Sequence, residues 1–173
     1  MTDWRLRRAE PGDEPALSLV AAASFLDAFA GVLPGPDIVA HVTRNSSVEK
    51  FAGWIADPES VVAIAEHPNG AAPVGYTVLT PPDFPIPTGP DDIELRRIYT
   101  MPVTNGTGLG ALLMERAVAD ARALGRKRML LGVLGTNHRA RRFYERQGFA
   151  LAGERRFNVG GSWYDDVVYA RDL

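Results

Sequence analysis

The sequence predicts a mixed α/β domain: a central, mostly antiparallel sheet of about seven strands flanked by about four helices. Three observations carry this. Short β-branched apolar runs alternate with amphipathic stretches along all 173 residues. Turn signals pair strands into hairpins in the first half and at the end. In the middle, strand, long helix and strand follow one another, which calls for a parallel, right-handed crossover.

Taken in order, Trp4 to Arg8 suits a short first strand. "EPGDEPALSLVAAASFLDAFAG" suits a helix, with Asp13 as N-cap, Pro15 in the first turn and Gly31 as the stop. A second helical region covers Ile38 to Ala56, with a break near Asn45. Ser46 and Glu49 have capping-box spacing for its second piece. "SVVAIAEH" and "APVGYTVLT", joined by "PNGA", read as a hairpin. "PPDFPIPTGPDD" holds too many prolines for strand or helix, and a loop of that kind beside a sheet often borders a site. "IELRRIYT" is the next strand. The long helix follows, with Leu109, Leu112, Leu113, Ala117, Ala121 and Leu124 on its inner face and Gly125 at its end. "RMLLGVL" is a strand, "NHRARRFYERQ" a short helix, and a hairpin turning at "GG" closes the chain. Neither an internal repeat nor a linker is visible, so residues 1–173 read as one domain.

Composition narrows the function classes. A formal net charge of -2 implies no broad basic face for nucleic acid. With no cysteine, disulfides, thiolate metal sites and a cysteine nucleophile are all excluded, and a reducing cytoplasm is the expected setting. The opening "MTDWRLRRAEPGDEP" has no apolar core of a signal peptide, and no apolar run is long enough to span a membrane. His41, His67 and His138 are scattered without metal-ligand spacing, so no metal is expected.

The chemistry concentrates in two clusters. In "IYTMPVTNGTGLGALLMERAVADARALG", Gly106, Gly108 and Gly110 alternate just where a helix begins. A helix start has free backbone N–H groups and a positive dipole end, and glycines let a bulky anion approach them. A tight turn with close helix packing explains glycines equally well. "GTGLGA" fits the loose dinucleotide pattern, but the acidic residue that pattern needs after the next strand is absent from "KRMLLGVLG". No Gly-Lys-Ser/Thr follows for a nucleotide P-loop. In "TNHRARRFYERQGF", Asn137 stands at the start of the short helix and Tyr144 two turns further along the same face. An N-cap asparagine and a packed tyrosine are the plain alternative.

Together the clusters resemble the GCN5-related N-acetyltransferase (GNAT) superfamily. Its first motif, Arg/Gln-x-x-Gly-x-Gly/Ala, appears as Asn105-Gly106-Thr107-Gly108-Leu109-Gly110, and its second as "NHRARRFYERQGF". The ending "VGGSWYDDVVYARDL" and the helices in "SFLDAFAGVLPGPDIVAHV" are similar to a polyamine-acetyltransferase-like branch. The resemblance implies acetyl-CoA as cosubstrate and a primary amine as acceptor. It implies that the backbone of Ile98, Tyr99 and Thr100 pairs with the pantetheine arm. Gly106, Thr107, Gly108, Leu109, Gly110 and Ala111 would hold the pyrophosphate through main-chain N–H groups. Asn137 would bond the cofactor near its pantetheine, and Tyr144 would stand near the thioester sulfur. Two departures matter. Asn105 replaces the usual Arg or Gln, which predicts weaker pyrophosphate binding rather than its loss. Gly132 stands five residues before Asn137, where several members carry a glutamate base.

An alkyl amine has a pKa near 10.4, so most of it is protonated at pH 7 and a base must take the proton. The resemblance implies Glu94 as the candidate base. It stands eleven residues before Asn105, and the transcription-linked branch of the family has a base glutamate at similar spacing. Strand alternation places it with Arg96 and Ile98. An exposed glutamate paired with Arg96 or Arg97 is the alternative. A backbone N–H near Thr100 is the expected oxyanion donor. Tyr144, neutral at pH 7, can protonate the leaving sulfur. With no cysteine, direct attack in a ternary complex is the default route.

The acceptor is expected to be a small molecule: polyamines first, then amino acids or amine antibiotics. A polycation needs an acidic cleft, for which Glu94, Asp91, Asp92, Asp165 and Asp166 are candidates, with Trp163 and Tyr164 as wall residues. A protein lysine or N-terminus is the alternative acceptor, and a non-catalytic acetyl-CoA sensor the alternative class. Neither nucleic acid nor membrane is an expected partner. Dimers are common in the superfamily, and the last hairpin offers an edge that a second copy could pair with.

Overall fold

The computed structural model describes residues 3–173. Strand β1 (Arg5–Arg8) is followed by helices α1 (Glu14–Phe29), α2 (Gly35–Asn45) and α3 (Val48–Ala56). Next come β2 (Val61–Glu66), β3 (Pro73–Thr80) and β4 (Asp92–Thr100), a single 3-10 turn at Pro102–Thr104, and α4 (Leu109–Ala123). Then β5 (Arg128–Leu134), α5 (His138–Arg146), β6 (Ala150–Val159) and β7 (Ser162–Asp172) complete the chain. The strands form one sheet in the order β1-β2-β3-β4-β5-β7-β6, antiparallel throughout except for the β4–β5 pair.

Several local expectations shift. The break expected near Asn45 is there, at Ser46 and Ser47, which makes the region two helices and the total five among the described residues. The cap of the second is Ser47, whose hydroxyl accepts from the Lys50 N–H; Ser46 instead accepts from Arg97. With Ser47 as cap, Glu49 sits one position early and no capping box closes. Asp13 does occupy the N-cap of α1 but makes no cap bond. Its carboxylate takes both Nη groups of Arg7 at 2.7 and 2.8 Å and the Glu10 N–H at 2.8 Å, a charge-assisted fork and a turn contact that hold it off the helix N–H groups. Arg7 also donates to Glu66 at 2.7 Å, tying β1, β2 and the start of α1 together. On α4, Leu112 is 40% exposed, and Met114 and Val118 are buried in its stead. Successive residues turn about 100° around a helix, so Leu112 cannot share the centre of the face with Leu113.

The sheet has two covered faces. On one, α4 and α5 bury Leu79, Ile93, Leu95, Met114, Met129, Leu131 and Tyr169. On the other, α1 and α3 cover Val62, Ile64, Tyr76 and Val78 around Phe51 and Trp54. Large, closely packed side chains on both faces make the sheet a rigid platform.

The platform is open at one place. β4 and β5 pair only through Asp92↔Arg128, Ile93↔Met129 and Glu94↔Leu130, and then diverge. A bulge accompanies the divergence: Leu79 faces Leu95 and the next residue of β3, Val78, faces Arg97, leaving Arg96 as the extra residue. A bulge bends its strand and sharpens its twist. It also reverses the alternation, so Ile98 packs toward α4 while Glu94 and Arg96 face the other side. The shared face expected for Glu94, Arg96 and Ile98 therefore holds only for the two charged residues.

Candidate functional site

The splay between β4 and β5 opens into a cleft of about 1370 Å³ that reaches both faces of the sheet. From the α4 side it is lined by Ile98, Thr100, Gly106, Gly108 to Ala111, Asn137 and Tyr144. From the other side it is lined by Phe25, His41, Tyr99, Glu94, Arg96, Arg97, Arg155, Phe157, Tyr164 and Asp166.

At the mouth, Gly106 and Gly108 have φ of 76° and 84°, a left-handed backbone that disfavours any side chain. Open space surrounds both Cα positions, and among the described residues the N–H groups of Gly106, Gly108, Leu109, Gly110 and Ala111 have no backbone acceptor. Thr107 does not belong to this set. Its N–H and hydroxyl both donate to the Thr104 carbonyl, at 3.2 and 2.6 Å, and it does not line the cleft. An open loop of free N–H groups at a helix start is what a diphosphate requires. Beyond Glu94, alternate N–H and C=O groups of β4 point into the splay with no strand opposite, so an extended chain can pair there. Asn105 accepts from Arg139 at 3.5 Å, which brings a cation of α5 to the turn where the motif's own Arg or Gln is replaced.

Asn137 caps α5: its side-chain oxygen accepts from the Ala140 N–H at 3.1 Å, leaving its NH2 toward the cleft it lines. Tyr144 packs against Phe143, Phe149 and Tyr169, and its hydroxyl has no protein partner among the described residues. Burial pushes its pKa up to about 12, so the phenol stays protonated.

Glu94 is 4% exposed, not a solvated strand residue. Its Oε2 accepts from Arg96 at 3.0 Å and from the Asp83 N–H at 3.1 Å. Burial raises its pKa, opposed by the charges of Arg96 and Arg155 and by the Asp83 bond. The proline-rich loop supplies that N–H and also lines the cleft with Asp83, Phe84 and Pro85.

The acidic candidates separate. Asp166 is buried, raised in pKa by that burial, and paired with Arg155 at 3.3 Å. Asp165 is the solvated one, 95% exposed at its side chain and 3.8 Å from Arg156. Asp91 and Asp92 pair with Lys127 and Arg128 and do not line the cleft. Trp163 and Tyr164 do line it.

Sequence reasoning missed Arg155, His41 and the loop residues Asp83 and Phe84. Gly132 held the one signal for Arg155. Its missing side chain leaves room on β5, and the Arg155 guanidinium lies in that room. His41 stacks on Phe25 at 4.5 Å, and burial together with the Arg97 charge pushes its pKa down to about 4.

A seven-stranded sheet split between its central parallel strands, with a glycine turn and helix at the split, defines one class of α/β fold. The model of the Acetyltransferase (GNAT) family matches residues 29–149, and the chain belongs to that family. It is 35% identical over 162 residues to an uncharacterized N-acetyltransferase of Mycobacterium tuberculosis, covering 93% of this chain and 98% of that one. Among solved structures, it superposes on the PaiA N-acetyltransferase of Thermoplasma acidophilum in complex with coenzyme A. That match has a TM-score of 0.80 at 19% identity, over 99% of both chains. It also superposes on YncA of Salmonella typhimurium, solved with its cofactor acetyl-CoA, with a TM-score of 0.73 at 21% identity over 99% and 95% of the chains. Among the described residues no helix is long and apolar enough to cross a membrane.

Proposed function

We propose that this protein transfers the acetyl group of acetyl-CoA to the primary amine of a small molecule, by direct attack in a ternary complex. One observation carries the reading. The unpaired edge of β4 runs from the free N–H groups at α4 to a point where Glu94 and Tyr144 enter the same cleft from opposite faces of the sheet.

The N–H groups of Gly106 and Gly108 to Ala111 would hold the pyrophosphate, with Arg139 at its edge. The β4 backbone at Ile98, Tyr99 and Thr100 would pair with the pantetheine arm, and the Asn137 NH2 would donate to it. When bound, the cosubstrate supplies an activated acetyl group as a thioester. Glu94, raised in pKa by burial, accepts the proton of the acceptor ammonium and so frees its lone pair. A backbone N–H of β4 near Thr100 donates to the carbonyl oxygen as it gains charge. The Tyr144 phenol donates its hydrogen to the departing sulfur.

Thiol release from acetyl-CoA, measured with polyamines, amino acids, aminoglycosides and short peptides, tests this. The chain has no cysteine, so the signal reports coenzyme A alone. Release that depends on a small amine supports the proposal. Release only with peptides transfers the activity to protein substrates, and tight acetyl-CoA binding without any release replaces it with a sensor.

A further inference from the structure

We propose that the acceptor amine also carries a carboxylate, and that Arg155 is the residue that receives it. This rests on the amine-acetylating reading above.

The Arg155 side chain is 13% exposed, and its charge is only partly used. Nε donates to Asp166 at 3.3 Å, while Nη1 and Nη2 donate to no protein acceptor among the described residues. The guanidinium is nonetheless held in place. It lies over the rings of Phe84 and Phe157, 4.8 Å from each centroid, and against the bare Cα of Gly132. A fixed fork with two free amino groups matches the two oxygens of a carboxylate, and stacking spares it the entropy of being ordered on binding. Its Nη groups are not among the fully buried unpartnered atoms, so they open to the cleft, where a ligand can reach them.

The neighbourhood fits one zwitterion. Glu94 pairs with Leu130, and the Arg155 guanidinium lies on Gly132, two residues further along the same face of β5. An ammonium delivered to Glu94 would therefore place a carboxylate, a few bonds away, on the free edge of Arg155. The same charges oppose a polyamine. Glu94 is already paired with Arg96 and Asp166 with Arg155. Arg97 donates to the uncharged Ser46 hydroxyl and Asn45 carbonyl and lies over the Trp54 ring, and among the described residues no carboxylate pairs with it at the cleft wall. A long polycation would meet these cations along the cleft instead of an acidic lining.

The test measures coenzyme A release with matched sets of an amino acid, its carboxamide and its decarboxylated amine, together with spermidine. The enzyme is used as wild type, Arg155→Gln and Arg155→Lys. At least one amino acid is expected to exceed its amide and its amine by about 10-fold or more in kcat/KM, the scale of a charge-assisted hydrogen bond. Both substitutions should shrink that ratio through the acceptor KM and leave the acetyl-CoA KM unchanged. Arg155→Lys keeps a cation beside Asp166 and protects the fold if the glutamine variant does not. The proposal is overturned if the decarboxylated amine or spermidine outruns the amino acid, an outcome that leaves the amine-acetylating reading standing. It is also overturned if the ratio survives in both variants. Acetyl-CoA binding without release to any amine overturns both readings.

Discussion

The guanidinium of Arg155 on β6 lies against the bare Cα of Gly132 on β5, in space that a methyl group at Gly132 would fill. Gly132→Ala should therefore push Arg155 off the rings of Phe84 and Phe157. The acceptor KM is expected to rise by about 10-fold, the scale of a lost charge-assisted contact, with the acetyl-CoA KM unchanged. Steady-state kinetics with each substrate varied decides this, and equal changes in both constants would point to a general distortion of β5.

Glu94→Gln keeps the hydrogen bonds from Arg96 and Asp83 within reach of a carbonyl oxygen but cannot take a proton. Since burial raises the Glu94 pKa, wild-type kcat/KM should climb as pH passes up through that raised value. In the variant the limb should vanish and the rate fall by about 100-fold or more. A pH–rate profile shared by both proteins would remove Glu94 from the chemistry.

Tyr144→Phe removes a hydroxyl with no protein partner among the described residues and leaves the ring packed on Phe143 and Phe149. Unfolding stability should stay within about 0.5 kcal/mol of wild type, while kcat falls and the acetyl-CoA KM holds. Denaturant melts and kinetics on the same preparation separate those effects. Loss of stability with intact turnover would make the residue structural.

His41 is 8% exposed and titrates near 4 in the fold against 6.5 when free. Its contribution to stability is complete above 6.5 and is lost as pH falls toward 4, because only the unfolded chain gains a proton in that window. At about 1.4 kcal/mol per pH unit, the loss reaches ~3 kcal/mol. Urea titrations from pH 7 to about 4 should show this slope in wild type and its removal in His41→Gln. The same slope in both would assign the acid sensitivity elsewhere.

Gly108→Ala places a side chain at φ 84° with nothing nearby to clash. The cost is backbone strain of roughly 1–2 kcal/mol at the first turn of α4. The acetyl-CoA KM should rise several-fold with acceptor specificity retained. An unchanged KM would exclude this turn from cofactor binding.

Element order, the hairpins, the parallel crossover and the glycine turn were all legible in the sequence, because each follows from local periodicity or backbone freedom. Asn137, Tyr144 and Glu94 were candidates through the resemblance to the family's motifs, since a helix cap, a packed tyrosine and a strand glutamate carry no chemistry by local pattern alone. The cap of α3 and the inner face of α4 were misplaced by a residue or two. There, Arg97 from another strand claimed Ser46, and the sheet selected Met114 over Leu112.

The surroundings of those candidates were decided only by tertiary structure. Whether Glu94 was exposed or buried depended on a proline-rich loop folding back over it. Asp165 and Asp166 are adjacent in the chain, yet one is solvated and the other held by Arg155, because alternation along β7 sends them to opposite sides. The bulge at Arg96 reverses that alternation on β4, and a one-residue insertion leaves no periodic trace. The sequence determined the family's frame and its glycine turn through contacts between near neighbours. The charge of the cleft was set by residues from β4, β6, β7 and the loop meeting around a glycine, and long-range meetings of that kind exist only once the sheet has closed.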